Sequence, residues 1–320
     1  MKYKHLFGPV LSRRLGLSLG IDLIPYKVCS LDCVYCEVGR TNHLTLDRSN
    51  YIPINEILEE LDDYLASQPK LNYITFSGAG EPTLHAEIEK VIQYIKSHYP
   101  KYPLALITNS TLLSDENIRN DVKEVDLILP SLDAVSEPIF DKINRHHPDL
   151  KAAELVNGLI EFRKIFKGKI FLEIFIIEGL NDTEAELSLL KEACRKIQPD
   201  KIQLNTLDRP GTEEWVTASS KENLLRIKAL FEPLPVEIIA KISISKDAPV
   251  HVYTQIDDIT ELIKRRPCTL KEIMSVMDLH VNTVIKYLRY LTEQGIICEK
   301  KEDRGIFYKI NTEKNDEEKK

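Results

Sequence analysis

Cys29-Ser30-Leu31-Asp32-Cys33-Val34-Tyr35-Cys36 is the stretch on which the reading of this chain turns. It follows closely on residues 19–24, a short apolar run of strand length, so the three cysteines occupy a loop leaving the end of a strand. Loops of that kind carry the ligand sites of α/β domains. The other cysteines, Cys194, Cys268 and Cys298, are scattered at helix and strand positions and read as small buried hydrophobes. In a reducing compartment a cysteine cluster signals metal or redox chemistry rather than a disulfide framework. A structural zinc site wants four Cys or His ligands, and only His43 offers itself as a fourth. Three thiolates on a four-iron cluster would instead leave one iron without a protein ligand, open to a small molecule.

Outward from that loop, apolar runs alternate with amphipathic segments. Residues 19–24, 73–77, 104–108, 127–131, 170–177 and 201–205 read as buried strands. Residues 54–66, 86–97, 136–143, 151–166 and 183–197 read as the helices between them. In the second helix Ile88, Val91, Ile92 and Ile95 recur at helical spacing, and Asn181-Asp182-Thr183 offers cap side chains to the fifth. This alternation predicts an α/β fold with a parallel sheet, either open and doubly wound or a full or partial barrel.

The pattern changes beyond a stretch punctuated by Pro233, Pro235 and Pro249. Residues 256–265, 270–277 and 281–294 read as helices, and residues 296–300 and 306–310 as strands joined by Glu302-Asp303-Arg304-Gly305. Three helices and a hairpin in that order predict a winged helix-turn-helix module. The chain thus divides into a domain over residues 1–250, a module over 255–310 and a charged, disordered tail over 311–320. His280, Asn282, Thr283, Lys286 and Arg289 are placed to face a nucleic-acid groove, with Lys300, Lys301 and Arg304 on the wing. Acidic residues nearly match basic ones across the module, so packing, peptide binding or dimerisation is the alternative to nucleic-acid binding.

Composition narrows the class. A chain of 320 residues exceeds what one core serves, and 43% hydrophobic with 29% charged residues excludes a disordered or collagen-like protein. No apolar run approaches the roughly 20 residues of a membrane span. The basic start is followed by Gly8, Pro9, Ser12, Arg13 and Arg14 rather than a secretory apolar core, so a cytoplasmic protein is expected. A net charge of −7 excludes polyanion binding as a global tendency; a nucleic-acid partner needs a local patch.

The C-x3-C-x2-C loop directly after a strand resembles the radical S-adenosylmethionine (SAM) superfamily, and the resemblance extends over most of the first domain. It implies a partial (βα)6 barrel in which Cys29, Cys33 and Cys36 hold a [4Fe-4S] cluster whose open iron chelates SAM. The implied chemistry is reductive cleavage of SAM to methionine and a 5'-deoxyadenosyl radical. In this likeness Tyr35 lies near adenine, and Gly78, Ala79, Gly80 and Glu81 form the Gly-Gly-Glu element, with Ala79 a departure from its commonest form. Asn109, Ser131 and Asp133 fall where ribose and carboxylate contacts are made. Ile177 stands in a GxIxGxxE-like stretch in which Phe175 and Asp182 depart from the pattern, and Asn205 ends the sixth strand. A flavodoxin or ferredoxin is the implied reductant. Arg13, Arg14, Lys27 and Arg40 flank the loop, either as matches for a substrate phosphate or carboxylate or as surface charges.

Within the superfamily, Ser12-Arg13-Arg14-Leu15-Gly16 through Gly20-Ile21-Asp22, with residues 33–41 and 77–84, is similar to Fe-S oxidoreductases akin to the tRNA wybutosine-base synthases. Those enzymes carry three more cysteines upstream, and this chain has none before Cys29. The resemblance implies radical modification of a substrate, an RNA base first, with a protein or peptide as the same-class alternative. A cluster-bearing winged-helix transcriptional regulator is the alternative from another class. No catalytic residue is assigned beyond the cofactor ligands.

Overall fold

The structure, a computed structural model, describes residues 3–207, 211–239, 250–302 and 305–311. Strand β1 (Leu6–Ser12) runs antiparallel to β2 (Gly16–Ile21), and the loop beyond β2 carries a short parallel pair, β3 (Val28–Cys29) and β4 (His43–Leu44). Alternation then sets in with α1 (Ile54–Leu65), β5 (Tyr73–Phe76), α2 (Ile88–His98), β6 (Leu104–Thr108), α3 (Glu116–Val122) and β7 (Leu127–Pro130). It continues through α4 (Glu137–Asn144), α5 (Ala152–Ile165), β8 (Lys169–Phe175), α6 (Glu184–Ile197), β9 (Lys201–Asn205), α7 (Lys221–Phe231) and β10 (Val236–Ile238).

These strands form one eight-stranded sheet in the order β1-β2-β5-β6-β7-β8-β9-β10, parallel except for β1. The six anticipated strands occupy its centre in chain order. Its outer face is apolar: Ile74, Leu104, Leu106, Ile128 and Ile170 are sealed in one core with Ile88, Val91, Ile92 and Ile95 of α2. Each such side chain contributes about 1.5–3 kcal/mol on burial. The opposite face is mixed, with Ser18 bonded to Thr75 and Arg14 paired with Glu173. Arg14 precedes β2 and Glu173 lies on β8, four strands further along the sheet order. In a flat sheet that separation would be roughly 19 Å, beyond an arginine's reach, so the sheet curls round a lumen.

Two edge strands were not anticipated. β1 is hidden in the sequence by Gly8-Pro9, where the pairing register with β2 shifts between Phe7 and Val10. β10 is only three residues long and lies in the Pro-punctuated stretch. Thr183 caps α6 by accepting from the Glu186 N–H, as the sequence suggested for its triplet, whereas Asn181 braces the backbone of Ile177.

Beyond residue 250 come α8 (Val250–Arg265), β11 (Cys268–Thr269), α9 (Leu270–Met277), α10 (Val281–Glu293), β12 (Ile297–Glu302) and β13 (Gly305–Ile310). The strands make a three-stranded antiparallel sheet ordered β11-β13-β12. A capping box between Thr269 and Glu272 starts α9, and a separate core gathers Ile259, Ile263, Val284, Tyr287, Leu288 and Leu291. This core reaches the first domain: Leu17 packs against it, and the Tyr287 hydroxyl donates to Gln255 at 2.9 Å beside the Pro9 carbonyl. The boundary anticipated between residues 250 and 255 falls within the first turns of α8, which begins before the expected residue 256; the turn residues Asp303 and Arg304 and the tail from 312 onward lie outside the described residues. Among the described residues no helix is long and apolar enough to cross a membrane.

Candidate active site

The loop after β2 is tied down on both sides. Asp32 and Val34 donate their backbone N–H groups to the carbonyls of Asn144 and Ile143 at the end of α4. On the other flank the Lys27 N–H donates to the Ala79 carbonyl, and the Glu81 N–H to that of Val28. The three thiols it presents are free and half-buried. Each sulfur meets a side-chain nitrogen donor, and the three donors come from separate parts of the chain. Lys27 Nζ lies 3.2 Å from Cys36 Sγ, Asn144 Nδ2 3.3 Å from Cys33 Sγ, and Asn109 Nδ2 3.5 Å from Cys29 Sγ.

Burial and the nearby Glu81 push the Cys29 thiol up to about 12, and burial with Asp133 raises Cys33 well above its ordinary value. Burial works to lower the Lys27 ammonium, but attraction to Cys36 and the other two thiols outweighs it and raises it overall. Thiols held up in this way ionise when a metal supplies positive charge. The donor set fits an iron-sulfur cluster: three soft sulfurs from one loop, each offered a hydrogen bond of the kind that tunes such centres. Oδ1 of Asn144, beside Cys33, is buried with no hydrogen-bond partner, leaving an acceptor at this spot. No three His, Cys, Asp or Glu side chains among the described residues close on a single point as one metal ion requires. Thiols bound to separate irons of a cluster stand further apart.

The Gly-rich turn after β5 owes its glycines to crowding. A Cβ on Gly78 would fall 1.9 Å from Asp22 Oδ1, and one on Gly80 would fall 2.1 Å from the Val28 carbonyl oxygen. Ala79 has room because its methyl turns into an apolar contact with Val281 and Ile285 of α10. Glu81 is buried and its oxygens accept from Thr83, the Thr108 hydroxyl and the Asn109 N–H. Burial raises its carboxyl and these bonds pull it back. Its carboxylate therefore braces the ends of β5 and β6.

Tyr35 stacks on Phe175 with ring centroids 3.9 Å apart and donates its hydroxyl to Asp133. Asp133 also accepts from Asn144 Nδ2 at 2.9 Å and from the Phe175 N–H at 3.0 Å, and burial lifts its carboxyl to about 6. Tyr35, Asp133, Asn144 and Cys33 thus form one group, and Asn109, Glu81 and Cys29 a second. Ser131 joins through its backbone, accepting from Ser110 and bridging to Glu173. Ile177 is packed in an apolar cluster with Val34 and Phe175. Asn205 ends β9 and turns its Oδ1 back onto the Thr206 N–H. Lys27 and Asn144 were missed as sulfur donors. A lysine two residues before the first cysteine was a visible signal for one; nothing in the sequence marks the helix-ending Asn144. Arg40 is exposed and paired with Asp32 and Glu213, a surface charge.

The third helix of the C-terminal module faces inward, contrary to its expected exposure. Asn282, Thr283 and Arg289 are buried and His280 is half-buried. His280 stacks on Phe7 and lies 3.2 Å from Asp22, while Arg289 pairs with Glu37, next to Cys36. Lys301 on the hairpin pairs with Glu214 of the first domain. The apolar stripe of α10 has two sides to satisfy, its own core and Ala79, and that turns its polar residues toward the thiol loop.

Residues 23–190 match the radical SAM superfamily, and the chain belongs to it. It is 33% identical over 321 residues to a UPF0026 protein, MJ1312, of Methanocaldococcus jannaschii, with 97% of each chain covered. It is 36% identical over 313 residues to a protein named GTPase Obg from Brachyspira hyodysenteriae, covering 97% of this chain and 46% of that one, so it spans about half that relative's length. To a probable dual-specificity RNA methyltransferase RlmN of Flavobacterium johnsoniae it is 26% identical, covering 68% of this chain and 63% of that one. Among solved structures, a radical SAM methyltransferase from Sphaerobacter thermophilus superposes with a TM-score of 0.53 at 16% identity, covering 69% of this chain and 65% of that one. SuiB of Streptococcus suis bound to S-adenosylmethionine gives 0.52 at 13% identity, covering 70% and 50%. At such identities the structures share a fold. Membership of the superfamily, with its enzyme relatives, makes this chain an enzyme.

Proposed function

We propose that the chain cleaves SAM at a [4Fe-4S] cluster held by Cys29, Cys33 and Cys36 and uses the resulting radical on an RNA base. The observation that carries the cofactor assignment is the trio of half-buried thiols on one loop, each with its own nitrogen donor. When bound, the cluster and SAM supply a 5'-deoxyadenosyl radical able to abstract a hydrogen atom. The chain's part is to orient and exclude water. The backbone of residues 78–80 lies close against Asp22 and the Val28 carbonyl because two of its residues lack a Cβ, and Tyr35, held by Phe175 and Asp133, offers a fixed ring face. Asn109, Ser131, Asp133, Ile177 and Asn205 complete the assigned SAM contacts at strand ends, where such sites form.

We read residues 1–250 as the radical SAM domain, a partial barrel closed toward β1, and 255–310 as a winged helix whose third helix serves as a wall of the site. That inward helix weighs against the regulator reading, which needs its polar face free for an operator. The RNA substrate is supported by the likeness to the RNA methyltransferase and by the wybutosine-like segments of the sequence. The test is anaerobic reconstitution with iron and sulfide, followed by dithionite and SAM, with 5'-deoxyadenosine measured by chromatography. RNA from a strain lacking the protein should raise the yield severalfold. Stimulation by the protein fraction alone would move the assignment to a peptide or protein substrate, and absence of 5'-deoxyadenosine in every arm would end it.

A further inference from the structure

We infer that a cavity between the first domain and the C-terminal module is a second ligand site, for an uncharged planar heterocycle bearing ring carbonyls, a nucleobase or its nucleoside. β1 and α1 supply its wall from one side, α8 and the α9–α10 turn from the other. It holds about 330 Å³, within the roughly 300–1,000 Å³ of small-molecule sites. Four rings line it, those of Tyr3, Phe7, Tyr64 and His280. Tyr3 and Tyr64 meet edge to face with centroids 5.6 Å apart, and Phe7 stacks on His280 at 4.8 Å. Such rings favour a flat aromatic system laid against them. None of the residues lining the cavity is among the assigned SAM contacts. Asp22, bonded to both His280 and the Ala79 N–H, stands between the cavity and the Gly-rich turn.

Three polar groups of the lining have no hydrogen-bond partner among the described residues. Thr283 is only 2% exposed, yet its hydroxyl is unpaired. Thr292, on the same helix, shows the usual alternative by donating to the Leu288 carbonyl at 2.9 Å. The half-buried Tyr64 hydroxyl is also unpaired. Gln255 spends its Oε1 on the Tyr287 hydroxyl, which leaves its Nε2 amine without an acceptor. A buried polar group left unpaired costs stability, so these three are poised for a ligand. An amide nitrogen can only donate and hydroxyls do either, so the matching ligand carries acceptors, as ring carbonyls do. Charge excludes an anion. No lysine or arginine lines the cavity, its one carboxylate, Asp278, is exposed, and both ring nitrogens of His280 are engaged, by Asp22 and the Asn282 N–H. A phosphate or carboxylate brought here would stay uncompensated.

Inosine, guanosine and uridine are titrated into the reconstituted full chain, with and without excess SAM, reading the thermal midpoint. At least one should give a saturable rise that SAM does not abolish. Tyr64→Phe and Thr283→Val each remove one hydroxyl with little change of shape and should each weaken binding by about tenfold. Thr292→Val, whose hydroxyl is committed within its own helix, should stay within about twofold of wild type. The 5'-monophosphate of the binding nucleoside should bind no tighter than the nucleoside itself. The assignment is overturned by the lack of a saturable response to all three, by a response that SAM abolishes, or by one that both hydroxyl variants leave unchanged. Equal weakening by Thr292→Val overturns it too, as does a monophosphate that binds about tenfold tighter, since the lining offers no cation. If one hydroxyl variant fails to fold, the other carries the criterion. A chain that binds the nucleoside and makes no 5'-deoxyadenosine would keep the cavity site and lose the SAM reading.

Discussion

Nε2 of His280 lies 3.2 Å from Oδ2 of Asp22, the same oxygen that takes the Ala79 N–H at 3.1 Å. Nδ1 of His280 accepts from the Asn282 N–H at the start of α10, which puts the ring proton on Nε2 and makes it a donor to Asp22. One carboxylate oxygen thus joins the cap of a helix near residue 280 to the Gly-rich turn near residue 79.

His280→Ala removes the cap and the bond together and should cost about 1–3 kcal/mol. The specific expectation is that amide exchange speeds up in residues 77–81 as well as in 281–293. Unchanged protection at 77–81 would show that the two segments are independent.

The turn itself should be intolerant at one position and forgiving at the next. Gly78→Ala drives a methyl into Asp22 and should impair both folding and docking of α10. Ala79→Gly, which restores the commoner Gly-Gly-Glu form, loses a methyl contact and should cost about 1 kcal/mol, read by urea unfolding.

Replacing any one of Cys29, Cys33 or Cys36 by Ala should remove the brown absorbance of the reconstituted protein or its SAM cleavage, since no spare thiol lies near. The triple replacement of Cys194, Cys268 and Cys298 should leave iron per chain unchanged. A fall by about half would mean a second cluster.

Asp133 provides a pH signature. Burial raises its carboxyl from 3.8 to about 6 in the fold, so between these values the native state binds more protons than the unfolded chain. This contribution favours folding most below about pH 4, declines as pH rises toward 6, and is level above. Asp133→Asn removes it, so the variant's stability relative to wild type should climb by about 2–3 kcal/mol from pH 4 to 7 in urea titrations. A flat difference would refute the raised carboxyl.

The central strands were legible because each carries a short, largely buried apolar stretch bounded by turn residues; β6 and β9 match residues 104–108 and 201–205 to the residue. α9 did too, its amphipathic stripe framed by Thr269 and Asp278. α3 was missed because only Ile118 and Val122 mark its buried side. The thiol loop announced itself by spacing, but its donors did not, since Asn109 and Asn144 reach the sulfurs only through the curl of the sheet. The inward turn of α10 was the largest surprise. Amphipathicity tells which residues a helix buries in its own core, and says nothing of a second surface pressed on the polar side.

Pro9 and Tyr287 meet although 278 residues separate them in the chain. On a ribosome adding roughly 5–20 residues per second, that is on the order of tens of seconds. Through that interval β1 lacks its cover, and the loop of Cys29, Cys33 and Cys36 lacks the wall that α10 builds beside it. The nascent chain is therefore more open on this side than the finished one, and only the last fifth of the chain brings α10 against Ala79 and Glu37 beside the loop.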